Sequence, residues 1–209
     1  KSRELEINVR DTIGAEQQLL NKQEIHDLEP NIKKIYHAGV FYKKARHARN
    51  PKKILLKLFD LFIKKGGKFK KNNIEIINFS NEKPIIKSTE NSFNFDKILI
   101  TCGAFSKKLT DQMDEKIPLD TERGYHVHFK GHDHLLSRPV IFLNRGFGIT
   151  PMEQGLRVVG TVEFGGLHNP PNKKRVLNLV NNAKYLFPEL GQHHDEWLGF
   201  RPTLPDFLP

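Results

Sequence analysis

The second half of the chain alternates short apolar runs with turn residues, and this pattern constrains the fold more than any other feature. The runs "YHVHF", "PVIFL", "GFGITP" and "LRVVGTVEF" are separated by Gly, Pro and Asn, and several of them alternate apolar and polar residues. A period of two is typical of strands in a sheet with one covered face. One helix follows, "NKKRVLNLVNNAKYLF", whose apolar side carries Val176, Leu179, Val180, Ala183 and Phe187. Strands with a packed helix predict an α+β layer that begins near residue 117.

The first half mixes helical and extended patterns. Residues 1–34 are predicted to be a helical, polar lead-in, and "IYHAGVFY" is predicted to be a strand. A helix that starts at Asn50-Pro51 and stops at Gly66-Gly67 carries Leu55, Leu58, Phe59 and Phe62 at helical spacing. Three short runs, "IEIINF", "KPIIKS" and "SFNF", predict a hairpin or meander, and "DKILITCGAF" predicts an apolar strand that ends in a Gly-Ala turn.

The positive charge of the chain is concentrated in one stretch. The formal net charge is +10, but residues 43–71 hold twelve of the lysines and arginines and a single acid, so the rest is close to neutral. A solvated helix face explains this better than a nucleic-acid site, because no aromatic or Gly-rich binding loop accompanies the charge. We therefore predict no nucleic-acid partner, although a basic nucleic-acid binder stays a minor alternative. No apolar run is long enough for a transmembrane segment.

The reactive side chains indicate neither a metal centre nor a hydrolase. Cys102 is the only cysteine, which excludes an internal disulfide and a Cys-based zinc site; it is expected to be buried, and the chain to be cytoplasmic. His126 and His128 lie two apart in a predicted strand, but no acid stands at a ligand spacing beside them, so no metal is predicted. The sequence contains no G-x-S-x-G nucleophile motif and no complete G-x-G-x-x-G dinucleotide fingerprint.

Five segments in order identify a family resemblance over nearly the whole chain. They are "AGVFYKKARHARNPKKILLKLFDLFIKKGGKF", "DKILITCGAFSKKL", "ERGYHVHF", "GITPMEQGLRVVGTVEFGG" and "WLGFRPTLPDFLP". Together they resemble the FAD-dependent D-amino acid oxidase and dehydrogenase superfamily, nearest to the D-amino acid dehydrogenase small subunit and glycine oxidase. The resemblance implies a split FAD-binding α/β domain and a substrate domain built on a mixed or antiparallel sheet with packed helices.

Two features of that family are missing from this sequence. The family opens with a βαβ unit that carries G-x-G-x-x-G and closes with a Gly-rich segment after the "RPTLPD" region. The resemblance therefore implies a central fragment that is truncated at both ends. Residues 1–117 would be a helical lead-in and an incomplete FAD-binding domain, and 118–209 the substrate-binding domain. The Pro-rich end, "LGFRPTLPDFLP", is expected to be a turn with no helix or strand.

The resemblance also implies roles for single residues. Arg201 matches the arginine that grips the substrate α-carboxylate. Tyr125, Phe147 and Glu163 match positions around the substrate pocket, with a plain strand aromatic as an equal alternative for Tyr125. Gly103 and Ala104 match a turn close to the cofactor, and His47 matches the segment that runs toward the flavin ring, with a structural histidine left open. The resemblance implies no catalytic side chain.

The function implied is oxidative deamination of a small amino acid, of D configuration or glycine-like, by hydride transfer from Cα to FAD. The alternative is a non-catalytic subunit or domain that keeps the fold without flavin. A partner subunit or a homo-oligomer is left open, as are the amino acid oxidised and the electron acceptor.

Overall fold

The computed structural model describes residues 2–81 and 83–207, which group into two compact units. The first unit comprises the described residues up to 51 together with 126–160 and 173–196, and the second comprises 52–125, 161–172 and those from 197 onward. The predicted boundary near residue 117 lies inside the second unit, so it does not separate the compact units. The assignment of residues 1–117 to cofactor binding and of residues 118–209 to substrate binding stays a prediction.

The described chain contains helices and strands in irregular alternation. The helices are α1 (Ser2–Thr12), α2 (Lys22–Leu28), α3 (Pro51–Lys64), α4 (Lys107–Thr110) and α5 (Lys173–Leu186). The strands are β1 (Gln17–Asn21), β2 (Ala38–Tyr42), β3 (Ile74–Ser80), β4 (Lys83–Ser88), β5 (Ser92–Asn94), β6 (Asp120–Phe129), β7 (Val140–Phe142), β8 (Phe147–Met152), β9 (Gly155–Glu163) and β10 (His194–Thr203).

These elements confirm the predicted α+β class with antiparallel sheets. The largest sheet has the strand order β10-β6-β9-β8-β7, and the pairs β7–β8 and β8–β9 are antiparallel. The four strands predicted between residues 118 and 164 are all present in it. Strands β6, β9 and β10 each contribute residues to both units.

Helix α5 forms the centre of the core in the first unit. Val176, Leu179, Val180 and Ala183 are buried on one side of it, and Phe187 just beyond its end is fully buried, as predicted. A Cβ atom on Gly160 of β9 would lie 2.9 Å from the backbone oxygen of Gly146 and 3.0 Å from Cδ2 of Leu179, so close packing of the strand requires a glycine there.

The lead-in contains a strand that the sequence pattern missed. β1 pairs antiparallel with β2, with Gln17 opposite Tyr42 and Asn21 opposite Ala38, so the prediction of a wholly helical segment over residues 1–34 was wrong at β1. The backbone pairing with β2 prevails over local helix propensity. Asn21 then caps α2: its side chain accepts from the backbone N–H of Glu24, whose carboxylate accepts from the N–H of Asn21.

In the second unit, β3, β4 and β5 form the predicted antiparallel meander. Helix α3 begins at Pro51 as predicted. Its end is closed by N–H bonds from Gly66 to the carbonyl of Ile63 and from Gly67 to that of Phe62, with Gly66 at φ +88°. None of its residues is buried, and its large apolar side chains are between 38% and 66% exposed.

Three further expectations were wrong in this unit. Residues 97–102 form no strand, because no described strand pairs with them, and Leu99 is 84% exposed. Cys102, at the end of this segment, is therefore exposed rather than buried. The Pro-rich end is not only a turn, because β10 extends to Thr203 at one edge of the large sheet, where a strand tolerates proline.

None of the helices in residues 2–81 and 83–207 is both long and apolar enough to cross a membrane.

Candidate functional site

Arg201 in β10 places its guanidinium against the bare backbone of Gly124 in β6. A Cβ atom on Gly124 would lie 2.7 Å from Nη2 and 2.9 Å from Cζ of Arg201, closer than real side chains approach. Arg201 is exposed, and no other residue in the described chain forms a hydrogen bond or ion pair with it. The missing side chain at Gly124 thus leaves the space that the guanidinium occupies, and the guanidinium keeps its donors available for an anion.

A second arginine, Arg123, precedes Gly124 in β6 and is buried, with both terminal nitrogens of its guanidinium hydrogen-bonded. Its side chain is 1% exposed. Nη2 donates to the carbonyl of Pro170 at 3.0 Å and Nη1 to that of Gly165 at 3.3 Å. Nε lies 3.3 Å from Oε2 of Glu163, which is an ion-pair distance, although the N–H is not aligned for a hydrogen bond. Burying a guanidinium requires such a counter-ion, and Glu163 supplies it.

Tyr125 connects this ion pair to the loop before α5. Its hydroxyl donates to Oε2 of Glu163 at 2.5 Å and accepts the backbone N–H of Asn172 at 2.9 Å. The side-chain amide of Asn172 donates to Oε1 of Glu163 at 3.4 Å. Tyr125 is 2% exposed, so Tyr125 and Glu163, two of the predicted substrate residues, contact each other in a buried network whose charges cancel.

Thr161 explains how Glu163 reaches Tyr125. Gly160 faces α5, so regular alternation along β9 would place Val162 on that face and Glu163 on the opposite one. Thr161 instead has φ +62°, a left-handed backbone that a β-branched residue rarely adopts. The strand turns there, Val162 becomes 45% exposed, and Glu163 joins Tyr125. Unusual backbone of this kind is often found at functional sites.

The predicted substrate residues are divided between the two faces of β6. Successive residues of a strand point to opposite faces, so Gly124 faces away from Arg123 and Tyr125. Arg201 covers Gly124 and therefore lies on the face of β6 opposite to the network of Tyr125 and Glu163.

The other predicted site residues lie as follows. Phe147 belongs to the core of the first unit; it is 2% exposed, and its ring is stacked on Phe142 with 5.0 Å between centroids. His47, also in the first unit, has Nε2 3.0 Å from the carbonyl oxygen of Pro151. Gly103 and Ala104 open a short 3-10 turn in the second unit, with Ala104 buried. The roles assigned to these residues stay predictions.

Gly103 suits close approach by another molecule. Its φ is +56°, which selects glycine, and a Cβ on it would meet no atom within 4 Å. The open space beside this backbone leaves room for another molecule to lie against the turn, and the contact with the cofactor stays a prediction. The sequence holds no complete G-x-G-x-x-G, the element whose backbone N–H groups would bind the pyrophosphate.

Sequence reasoning missed Arg123, Gly124, Thr161 and Asn172. The only local signal was "ERGYH" in a predicted strand, where Arg123 and Tyr125 share a face by their spacing. Nothing local marks Asn172, which meets Tyr125 from 47 residues away.

Comparison with known proteins defines the class to which this fold and site belong. The chain matches the family model described as FAD dependent oxidoreductase over residues 2–209, and it belongs to this family. FAD is the cofactor of the family.

Its relatives include enzymes named for amino acid oxidation. The chain is 30% identical to a D-amino-acid oxidase of Bradyrhizobium diazoefficiens over 207 residues, covering 96% of the chain and 49% of the relative. It is 30% identical over 117 residues to a glycine oxidase of Pseudomonas aeruginosa, covering 54% of the chain and 32% of the relative.

Solved structures share the fold. Glycine oxidase from Geobacillus kaustophilus matches with a TM-score of 0.84 at 21% identity, over 96% of this chain and 55% of that one. L-proline dehydrogenase from P. horikoshii matches with a TM-score of 0.81 at 14% identity, over 96% and 56%. The chain spans about half the length of the D-amino-acid oxidase and of the two solved structures.

Proposed function

We propose that this chain is part of a flavin-dependent oxidoreductase that oxidatively deaminates an α-amino acid, of D configuration or glycine-like, by hydride transfer from Cα to FAD. The observation that carries this proposal is Arg201, an arginine that has no protein counter-ion among the described residues and rests on Gly124. Membership of the FAD-dependent family and relatives named D-amino-acid oxidase and glycine oxidase support it.

Arg201 binds and orients the substrate. The planar guanidinium presents two parallel N–H donors to the α-carboxylate, which fixes both the position and the plane of that group. With the carboxylate fixed, rotation of the amino acid is restricted and its Cα–H is directed to one side. Orientation of this kind is a proximity effect, and it needs no side-chain general base.

FAD, when bound, supplies the electron sink that accepts the hydride. The residues of this chain that would approach it are the turn of Gly103 and Ala104 and the segment of His47. Gly103 carries no side chain that would keep a planar ring away from the backbone.

Tyr125 and Glu163 support the site through Arg123. Their polar atoms are committed to the network around Arg123 and Asn172, which ties β6 to β9 and to the loop before α5. This network holds the strand that presents Gly124, so we assign Arg123 as a positioning residue. A direct contact of Tyr125, Glu163 or Phe147 with the substrate stays a prediction.

The clamp is tested by Arg201→Lys in the longest native polypeptide that contains these residues. Lysine keeps the charge but loses the two-pronged geometry, so kcat/KM for the amino acid should fall about tenfold or more. Arg46→Lys is the matched control, because Arg46 is an exposed arginine whose guanidinium donates to the backbone carbonyls of Lys43 and Ala45. Unchanged kinetics in Arg201→Lys would rule out the clamp.

The cofactor is tested separately on the 209 residues themselves. Without a glycine fingerprint in the sequence, they should retain much less than one FAD per chain, measured by flavin absorbance after gel filtration. Stoichiometric FAD would contradict this expectation. If the longest native polypeptide that contains these residues folds and is purified without flavin, the result would favour the alternative that the protein is a non-catalytic subunit.

A further inference from the structure

Trp197 lies on the same face of β10 as Arg201. The two residues are four apart in this strand, so their side chains point the same way. Phe200 points to the other face, where Cζ of Arg123 lies 6.0 Å from the centroid of its ring. The described residues from 197 onward belong to the second unit, as does Arg123. An aromatic side chain and the unpaired arginine therefore share one surface of this unit.

The indole of Trp197 is directed along the strand toward Arg201. A Cβ atom on Gly199, which lies between the two residues in β10, would overlap Cη2 and Cζ3 of Trp197. The six-membered ring of the indole thus occupies the space of the missing side chain. Gly199 is two residues from Arg201, which corresponds to about 7 Å along a strand. The glycine brings the aromatic ring to within the length of a small ligand from the arginine.

Both side chains are open to solvent. Trp197 is 56% exposed, and Arg201 is exposed as well. Sites for small molecules combine apolar and aromatic surface with a few polar groups that fix the orientation of the ligand. An arginine and an indole side by side match a molecule with a carboxylate at one end and apolar carbon atoms at the other.

We propose that Trp197 is a specificity-determining residue of the Arg201 site, and that its indole receives the side chain of an apolar α-amino acid. This inference rests on the proposed function, in which Arg201 binds the α-carboxylate. A substrate side chain that packs on the indole is removed from water, and each methylene group that is fully buried raises the affinity about fourfold. Glycine has no side chain and gains nothing from the indole. The substrate class is therefore an amino acid with an apolar side chain of several carbon atoms.

The kinetic test compares substrates that differ only in the side chain. In the longest native polypeptide that contains these residues, kcat/KM for D-leucine should exceed the values for glycine and D-alanine about tenfold or more. Trp197→Ala should lower the value for D-leucine about tenfold. It should change the values for the two small substrates less than about twofold, because these do not reach the indole.

Further variants separate the indole from general effects of substitution. Trp197→Phe keeps an aromatic ring and should keep most of the preference for D-leucine. Phe69→Ala is the matched control, because Phe69 is an aromatic residue of the same unit that is 63% exposed. If Trp197→Ala fails to fold by circular dichroism, Trp197→Gln replaces it, with the same loss expected. A parent that prefers the small substrates, or an unchanged preference in a folded and active variant, would overturn the subsite. No oxidation of any amino acid by the parent would instead contradict the proposed function.

A binding experiment tests the subsite without oxidation. Trp197 is the only tryptophan of the chain, so the fluorescence of the 209 residues reports on its indole. Titration with 4-methylpentanoate, a carboxylate with the carbon skeleton of leucine, should change the emission to saturation. Acetate at the same concentration and ionic strength should change it much less. Arg201→Lys should weaken the binding of 4-methylpentanoate about tenfold, because the two-pronged grip on the carboxylate is lost. Equal responses to both acids, or a response without saturation, would overturn the subsite even if oxidation is observed.

Discussion

The guanidinium of Arg201 occupies the space that a side chain at position 124 would need. Nη2 would be 2.7 Å from a Cβ on Gly124, which makes the glycine in one strand a condition for the arginine position in another.

Gly124→Ala should therefore displace the arginine without unfolding the protein, because the atom that must move is the end of a long side chain. In the longest native polypeptide that contains these residues, KM for the amino acid should rise about tenfold with a smaller change in kcat. Steady-state kinetics and a melting curve measure the two effects. Gly191→Ala is the control, since a Cβ on Gly191 meets no atom within 4 Å. An unchanged KM in Gly124→Ala would contradict the positioning role.

Glu163→Gln should destabilise the chain by about 3 kcal/mol or more, because it leaves the buried guanidinium of Arg123 without its counter-ion. The matched control is Asp96→Asn. It breaks an ion pair with Lys83 whose side chains are 66% and 87% exposed, and it should cost less than about 1 kcal/mol. Urea unfolding of both variants measures the difference. Equal stabilities would show that the Arg123–Glu163 pair does not stabilise the fold.

Val180→Asp should prevent folding of the first unit, because it places a carboxylate on the buried side of α5. The lost burial alone is worth about 1.5–3 kcal/mol, and the unpaired charge adds to it. Leu177→Asp is a control on the same helix, since Leu177 is 55% exposed and should tolerate the change. Circular dichroism and a melting curve distinguish the two. A normally melting Val180→Asp protein would mean that this side of α5 is not packed.

The stability of the chain should fall as the pH is lowered from about 6.5 to about 4 in a phosphate-free buffer. Burial lowers the folded-state pKa of His126 to about 4, so the unfolded chain takes up this proton first as the solution is acidified. The contribution of the neutral His126 ring to the free energy of unfolding is therefore fully present above about pH 6.5. His126→Gln should show a shallower loss of melting temperature over this window. An identical pH profile in parent and variant would refute the prediction.

The parts of the fold that were predictable carry their own packing pattern. Strands β6 to β9 alternate apolar residues, and α5 has an apolar side, so both are recognisable locally. β10 was not recognisable from its sequence, because "HDEWLGFRPT" has no alternation and contains a proline, which an edge strand accepts. The opposite error was made for residues 97–102, which were predicted to be a strand and are not. Their apolar content cannot show whether a partner strand exists.

The site was predictable only in part for a similar reason. Arg201 was identified through the family resemblance. Its contact with Gly124 depends on which strand β10 pairs with, and this pairing is a long-range property. The partner of Glu163 was equally hidden, because it depends on the backbone of Thr161, a residue type that favours regular extended geometry.

The left-handed backbone of Thr161 also constrains how this part of the sequence can evolve. A change that restored regular alternation would turn the Glu163 carboxylate outward. The buried guanidinium of Arg123 would then have no counter-ion. We therefore expect Arg123, Thr161 and Glu163 to change together in evolution rather than one at a time.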